Sequence, residues 1–144
     1  MDTIVDTNST TTPPGYSHDV LWIFDADGVS EAFAYTVGLG VRPGRAYELA
    51  CTTLPAELAC SVLNNAAAQL VTDDADPVEG LELDDVLEGL PVRLRRAQDT
   101  SEFTGIRARL GEQPPVWQVL FPDRRGRFPG DAQYNAALTP QRLL

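Results

Sequence analysis

His18, Cys51 and Cys60 are the only imidazole and thiol groups in the 144-residue sequence. Attack by a thiol assisted by imidazole needs the two groups within hydrogen-bond reach. Cys51 falls at an alternating, strand-like position and Cys60 on the apolar side of a helical stretch, where a buried free cysteine is the ordinary outcome. A zinc site made of all three lacks a fourth ligand with recognisable spacing, so no metal is expected. The chain carries 21 acids, but none stands in a paired-carboxylate motif. Asp25 and Asp27 sit in a turn-like Asp-Ala-Asp-Gly; Val29 and Thr36 stand where a calcium loop would need oxygen ligands. There is no Gly-x-Gly-x-x-Gly, no Walker-type phosphate loop and no Gly-x-Ser-x-Gly elbow. Catalytic residues are left unassigned and no cofactor is expected.

Residues suited to binding are easier to find. In Phe33-Ala34-Tyr35-Thr36-Val37-Gly38-Leu39-Gly40 the bulky side chains alternate with small ones. The small side, Ala34, Thr36 and Gly38, admits close approach by a helix, a neighbouring backbone or a ligand. A ligand cleft there would draw polar groups from Tyr35, Thr36, Gly38, Glu48, Arg93, Asp123 and Arg124. Helix-on-sheet packing is the first expectation for the same small face. Arg124, Arg125 and Arg127 around Gly126 have the donors to hold an anion, although a solvated loop, or pairing with the acidic run, is the first expectation for them. Between Asp73 and Glu88 stand eight acids and no base: Asp73, Asp74, Asp76, Glu79, Glu82, Asp84, Asp85 and Glu88. Such runs are ordinarily solvated surface. Asp73, Asp74, Asp76, Asp84 and Asp85 are the candidates for a protein-recognition patch, and the nearby arginines 93, 95 and 96 offer charge pairing instead.

The elements that must position these residues follow from punctuation and periodicity. Residues 1–15 are threonine-rich and end in Pro13-Pro14-Gly15, which predicts a disordered arm. Val20-Leu21-Trp22-Ile23-Phe24 reads as a buried strand forming a hairpin with residues 28–40, and residues 40–44 as a turn. Tyr47, Leu49 and Cys51 alternate as a third strand. From Pro55 to about Val71, Leu58, Val62, Ala66 and Leu70, with Ala59, Leu63 and Ala67, draw an apolar helical stripe, opened by Pro55 and Glu57. Val86-Leu87 and Val92-Arg93-Leu94-Arg95 flank the turn Glu88-Gly89-Leu90-Pro91. Asp99 to Glu102 has capping-box spacing before a helix bearing Phe103, Ile106 and Leu110 and ending at Gly111. Val116 to Phe121 is a further strand. The expected fold is α+β: one domain over residues 16–130, with a largely antiparallel sheet of five or six strands and two packed helices, and a tail at 131–144 whose final leucines dock or fray.

The stretches Phe33 to Leu39, Glu48-Leu49, Leu54-Pro55, Glu88-Gly89-Leu90-Pro91-Val92-Arg93-Leu94-Arg95, Val116-Trp117-Gln118-Val119 and Phe121 to Pro129 occur in an order and spacing that resembles the domain-of-unknown-function 4262 family. These are small proteins of bacteria and their phages. The resemblance spans about residues 16–130 and implies a compact α+β domain with no transferable catalytic roles. Relatives often carry His-Pro before the Glu-Leu pair, where this chain has Ala46-Tyr47; any chemistry of that histidine is lost here.

The net charge of −10 and pI near 4.3 disfavour nucleic-acid phosphates and anionic membrane surfaces as partners. All 11 basic residues are arginine, the signature of a GC-rich coding sequence rather than of a binding function. No apolar run has membrane-spanning length, and no basic segment followed by an apolar core opens the sequence, so a cytoplasmic protein is expected. The composition points to a noncatalytic interaction module with an acidic surface; the resemblance adds a phage-encoded modulator of a host protein as one form of it. The competing expectation is a small enzyme or ligand-binding domain with its cleft over residues 34–38. The partner is an unidentified protein, and the chain itself a monomer or a homodimer through an exposed strand edge.

Overall fold

Runs of β-branched and aromatic residues bounded by Gly, Pro and Asp favour strands, and the computed structural model places seven of them in one sheet. It describes residues 2–8, 18–25, 28–39, 47–135, 141 and 143–144. The strands are β1 (Asp2–Asn8), β2 (Asp19–Asp25), β3 (Gly28–Val37), β4 (Glu48–Thr52), β5 (Glu82–Leu87), β6 (Leu90–Arg96) and β7 (Val116–Leu120), with helices α1 (Ala56–Thr72) and α2 (Thr104–Leu110). The sheet order is β1-β2-β3-β4-β7-β6-β5. All described pairings are antiparallel except β4–β7. The fold is thus α+β, as expected, with six strands between residues 19 and 120.

The seventh strand is a correction. Residues 2–8, read above as part of a disordered arm, pair antiparallel with β2 from Asp2↔Asp25 to Asn8↔Asp19. Thr3, Ile4, Val5 and Thr7 are β-branched, and the edge of β2 offers a complete row of backbone partners. The remainder of that arm, the turn residues 26–27, the turn cluster at 40–44 and tail residues 136–140 and 142 lie outside the described residues.

Each face of the sheet carries one helix. α1 buries Ala59, Val62, Leu63, Ala66, Ala67 and Leu70 in a core shared with Val20, Ala34, Leu49, Cys51, Leu94 and Val119. The alanines let α1 lie close over the small face of β3, and each fully buried Val or Leu contributes roughly 1.5–3 kcal/mol. Leu58, expected on the stripe, is instead 43% exposed. The opposite face packs Leu21, Ile23, Phe33, Tyr35 and Val37 under Phe103 and Ile106.

α2 spans seven residues, about two turns. Its expected capping box does not form: the Asp99 carboxylate accepts the Ser101 amide and hydroxyl at 3.0 and 2.6 Å, a local turn that satisfies it before the helix begins. Gly111 closes the helix as expected.

Gly105 sets the distance between α2 and the sheet. A Cβ there would stand 2.7 Å from Leu21 Cδ1 and 2.8 Å from the Tyr35 hydroxyl. Tyr35 cannot swing aside, because its ring packs 6.0 Å from Phe33 and 5.2 Å from Phe103, centre to centre. In an ordinary helix Gly→Ala stabilises by up to about 1 kcal/mol. Here Gly105→Ala is expected to destabilise by about 1–3 kcal/mol through overpacking, measured by urea unfolding; a stabilised variant would contradict the packing described.

Candidate functional site

The seven ligand-binding candidates are divided among three places. Tyr35 is fully buried beneath α2. Its hydroxyl accepts the Gly105 amide at 3.1 Å. Burial pushes the phenol above its usual value, against the opposing pull of the Gly105 and Thr104 hydrogen bonds. It anchors a helix and does not face a cleft.

Thr36, Gly38 and Glu48 do come together, inside the core. The β3–β4 ladder ends at Tyr35↔Ala50, and side chains continue it. The Thr36 hydroxyl donates to Glu48 Oε1 at 2.7 Å and accepts the Leu49 amide at 2.9 Å. The Gly38 and Leu39 amides donate to Glu48 Oε2 and Oε1, both at 3.1 Å. Glu48 and Thr36 have no exposed surface. Gly38 has φ 125°, a conformation that glycine adopts freely. Its missing side chain therefore serves the bend at the end of β3. Ala34 and Thr36 are fully buried, Ala34 in the core beneath α1, and three recesses of the surface are lined by other residues. The cleft expected over residues 34–38 is replaced by helix-on-sheet packing, because the small face fits the alanines of α1.

Asp123 and Arg124 belong to the loop that follows β7, and Arg93 reaches it from β6. Asp123 is a buried organiser. Its Oδ1 accepts the Arg125 and Arg127 amides, both at 2.9 Å, and its Oδ2 the Asn135 amide at 3.0 Å. The Arg127 amide, with lesser help from those of Asn135 and Arg125, holds the carboxyl below its usual value against the opposing effect of desolvation. Arg93 lies 4.2 Å over the Phe128 ring and pairs with Glu82 at 3.0 Å and Asp131 at 3.5 Å. Arg124 and Arg125 remain exposed. With Arg127, Gln133, Tyr134 and Asn135 they line an open recess of about 550 Å³. This loop carries the structured unit past residue 130, where the sequence reading ended it.

All eight acids of the run from Asp73 to Glu88 are exposed. Gln69 gathers three of them at one end of α1 and β5: its amide nitrogen donates to Asp73 Oδ2 at 3.3 Å and Asp84 Oδ1 at 2.9 Å, and its oxygen accepts the Asp85 amide at 2.9 Å. Asp74 and Asp76 follow in the connection to β5. Towards the neighbouring arginines, Glu82 pairs with Arg93, and Glu79 accepts the backbone amide of Arg96 at 2.8 Å.

The thiols lack an activating geometry. Burial pushes Cys51 up to about 12. Cys60 accepts a hydrogen bond from Asn64 Nδ2 at 3.3 Å, and Asn64 Oδ1 lies 2.9 Å from His18 Nε2. The amide between thiol and imidazole orients both but is no proton relay. Desolvation holds His18 below its usual value, against the Asn64 bond and the charge of Asp19. Among the described residues, no group of three or more His, Cys, Asp or Glu is placed to hold a metal ion.

Several polar positions escaped the sequence reading. Gln118 and Thr52 are buried in the central strands, 3.4 Å apart. Gln141 exchanges two hydrogen bonds with the Phe121 backbone at 2.9 and 2.6 Å. A glutamine inside the apolar run Val116 to Phe121 was the available signal for Gln118; Gln141 had none.

The chain belongs to the family described as domain of unknown function DUF4262, whose model matches residues 16–135. The match takes in the Glu48 latch, Arg93 and the whole Asp123 loop. No curated protein and no solved structure matches the chain.

If Glu48 is a latch, its loss is a stability defect. Glu48→Gln is expected to cost about 1.5–3 kcal/mol, the scale of a charged hydrogen bond. Thr36→Val, which leaves the Leu49 amide unanswered, is expected to cost about 1–3 kcal/mol. The double variant should lose less than the sum, because both act on one network. Strictly additive losses in urea unfolding would contradict the shared network.

Proposed function

For a member of this family we propose a noncatalytic role: the protein is a binding module that recognises a partner protein bearing a basic surface, through the acidic edge formed by β5 and the end of α1. The observation that carries this reading is the place of the acidic run in the fold. β5 is a terminal strand of the sheet. Its exposed acids are Glu82, Asp84 and Asp85, of which Asp84 and Asp85 meet Asp73 at the Gln69 junction. An edge strand can accept an extended partner segment. A row of like charges, with the register shift between Leu83 and Leu87, turns away a second copy of the same edge and favours arginine- or lysine-bearing partners. The free thiols Cys51 and Cys60 fit a reducing compartment, and the reading takes the cytoplasm of a bacterium, with a host protein as the target of a phage-borne copy, as its setting. No described helix is long and apolar enough to cross a membrane.

A second reading, a small-anion binder, is favoured by the recess beside Arg124, Arg125 and Arg127. One experiment separates the two. Capture from host lysate should retain a saturable partner on the wild type, lose it with rising salt, and lose it in a folded Asp84→Asn/Asp85→Asn variant. Absence of a saturable partner, or full retention by that variant, would count against the acidic edge. Retention by it together with loss in Arg124→Gln/Arg125→Gln would move the function to the arginine recess.

A further inference from the structure

Most of the described arginines are committed within the chain. Arg93 is shared between Glu82, Asp131 and the Phe128 ring. Arg109 pairs with Asp19 at 2.6 Å. Arg107 donates to the Thr100 and Ser101 carbonyl oxygens and to Gln113, and Arg127 to the Gln133 carbonyl oxygen at 3.0 Å. Arg124 and Arg125 are exposed, and neither guanidinium has a partner among the described residues. They are adjacent in a sequence where 21 acids face 11 arginines, and both line the recess of about 550 Å³. Its lining of three arginines and one aspartate carries a surplus of two positive charges. The aspartate, Asp123, is already engaged by three backbone amides. The walls are tied together, because Asp123 accepts the Asn135 amide and Arg127 reaches Gln133. Gln133 holds φ 65°, a left-handed conformation that a non-glycine residue keeps only where its surroundings impose it. The turn itself is closed by the Asp123 amide on the Arg127 oxygen at 2.8 Å and the Gly126 amide on the Asp123 oxygen at 3.0 Å. The backbone that carries Arg124 and Arg125 is thus preorganised for a ligand.

We propose that this recess binds a phosphate monoester of a polar alcohol as its dianion, with the Arg124 and Arg125 guanidiniums on the phosphate oxygens. The proposal rests on the anion-binding reading of the recess and narrows it to one ligand class. Two positive charges in surplus match a dianion; a carboxylate or a phosphodiester answers half of them. The planar fork of each guanidinium suits phosphate oxygens. Two neighbouring guanidiniums repel each other, and a dianion between them removes that repulsion. The volume is that of a small-molecule site, more than a phosphate group fills. The amide side chains of Gln133 and Asn135 on its lining carry both donors and acceptors for the hydroxyls of a polyol or sugar.

The test is a titration at constant ionic strength, followed by NMR at the Arg125, Arg127 and Asn135 backbone amides. Glycerol phosphate should shift them saturably. Dimethyl phosphate and acetate, both monoanions, should bind at least about tenfold more weakly for want of the second charge-assisted contact. Arg124→Gln/Arg125→Gln removes no side-chain contact among the described residues; it should unfold in urea as the wild type does and lose the binding. Arg96→Gln, one arginine fewer outside the recess, should keep it. Equal affinity for the three anions, lost in the double variant, would overturn the dianion proposal and leave a general anion site. No saturable shift with any of the three would overturn the proposal and the anion-binding reading together. Binding that survives the double variant, or that is lost as fully in Arg96→Gln, would lie outside the recess and overturn the proposal. Should the double variant not fold, Arg124→Gln alone must weaken glycerol phosphate binding about tenfold or more; unchanged affinity overturns the proposal.

Discussion

A carboxylate without exposed surface in the middle of a sheet must be answered by donors, or the fold pays for its desolvation. Glu48 is that group, and much of the architecture can be traced from it. Its side chain gathers the Thr36 hydroxyl and the Gly38 and Leu39 amides at the end of β3. Its backbone amide donates to Pro115 at 3.0 Å, where β7 begins, and it stands in register with Val116. One residue thereby joins the antiparallel strands β1 to β4 to the antiparallel set β5, β6 and β7, across the parallel β4–β7 pairing. A polar residue here specifies where β3 bends away and where β7 enters, which an apolar side chain would leave open.

The two faces of the sheet then diverge in character. Under α1 the core is apolar, closed by alanine, valine and leucine at helical spacing. The other face is apolar beneath α2, where Phe33, Tyr35 and Phe103 pack ring on ring. Over β6 and β7 it presents Arg93, Arg95 and Gln118, satisfied by Phe128, Asp131 and Leu144. The loop held by Asp123 and the last residues of the sequence thus act as the cover for that half of the sheet. Exposed charge is concentrated there and on the acidic edge, away from the bare strand face that first suggests a cleft.

The elements were legible wherever local rules decide them. Pro55 and the four-residue steps from Val62 to Leu70 announced α1, and Gly111 the end of α2. The family resemblance was carried by the same stretches that build the latch and the Asp123 loop. Strand order was not legible, because periodicity along a strand says nothing of its neighbour; hence the parallel β4–β7 pairing was missed. Asp2–Asn8 was missed because its composition is that of an arm, and only the waiting edge of β2 makes it a strand. Of the seven ligand-site candidates, Thr36, Gly38 and Glu48 stand together in the structure, but what they do there depends on burial, which spacing does not give. The bare face of β3 reads alike for a ligand and for an alanine-rich helix.

The central claim is that the Glu48 carboxylate is committed to holding the backbone at Gly38 and Leu39. Native-state hydrogen exchange of those two amides tests it most directly. Protection close to that of Ala50 and Cys51 in β4 is the predicted result, since opening the latch should require opening the sheet. Exchange as fast as at the exposed turn residue Gly89 would contradict it, and would release Glu48 from a structural role.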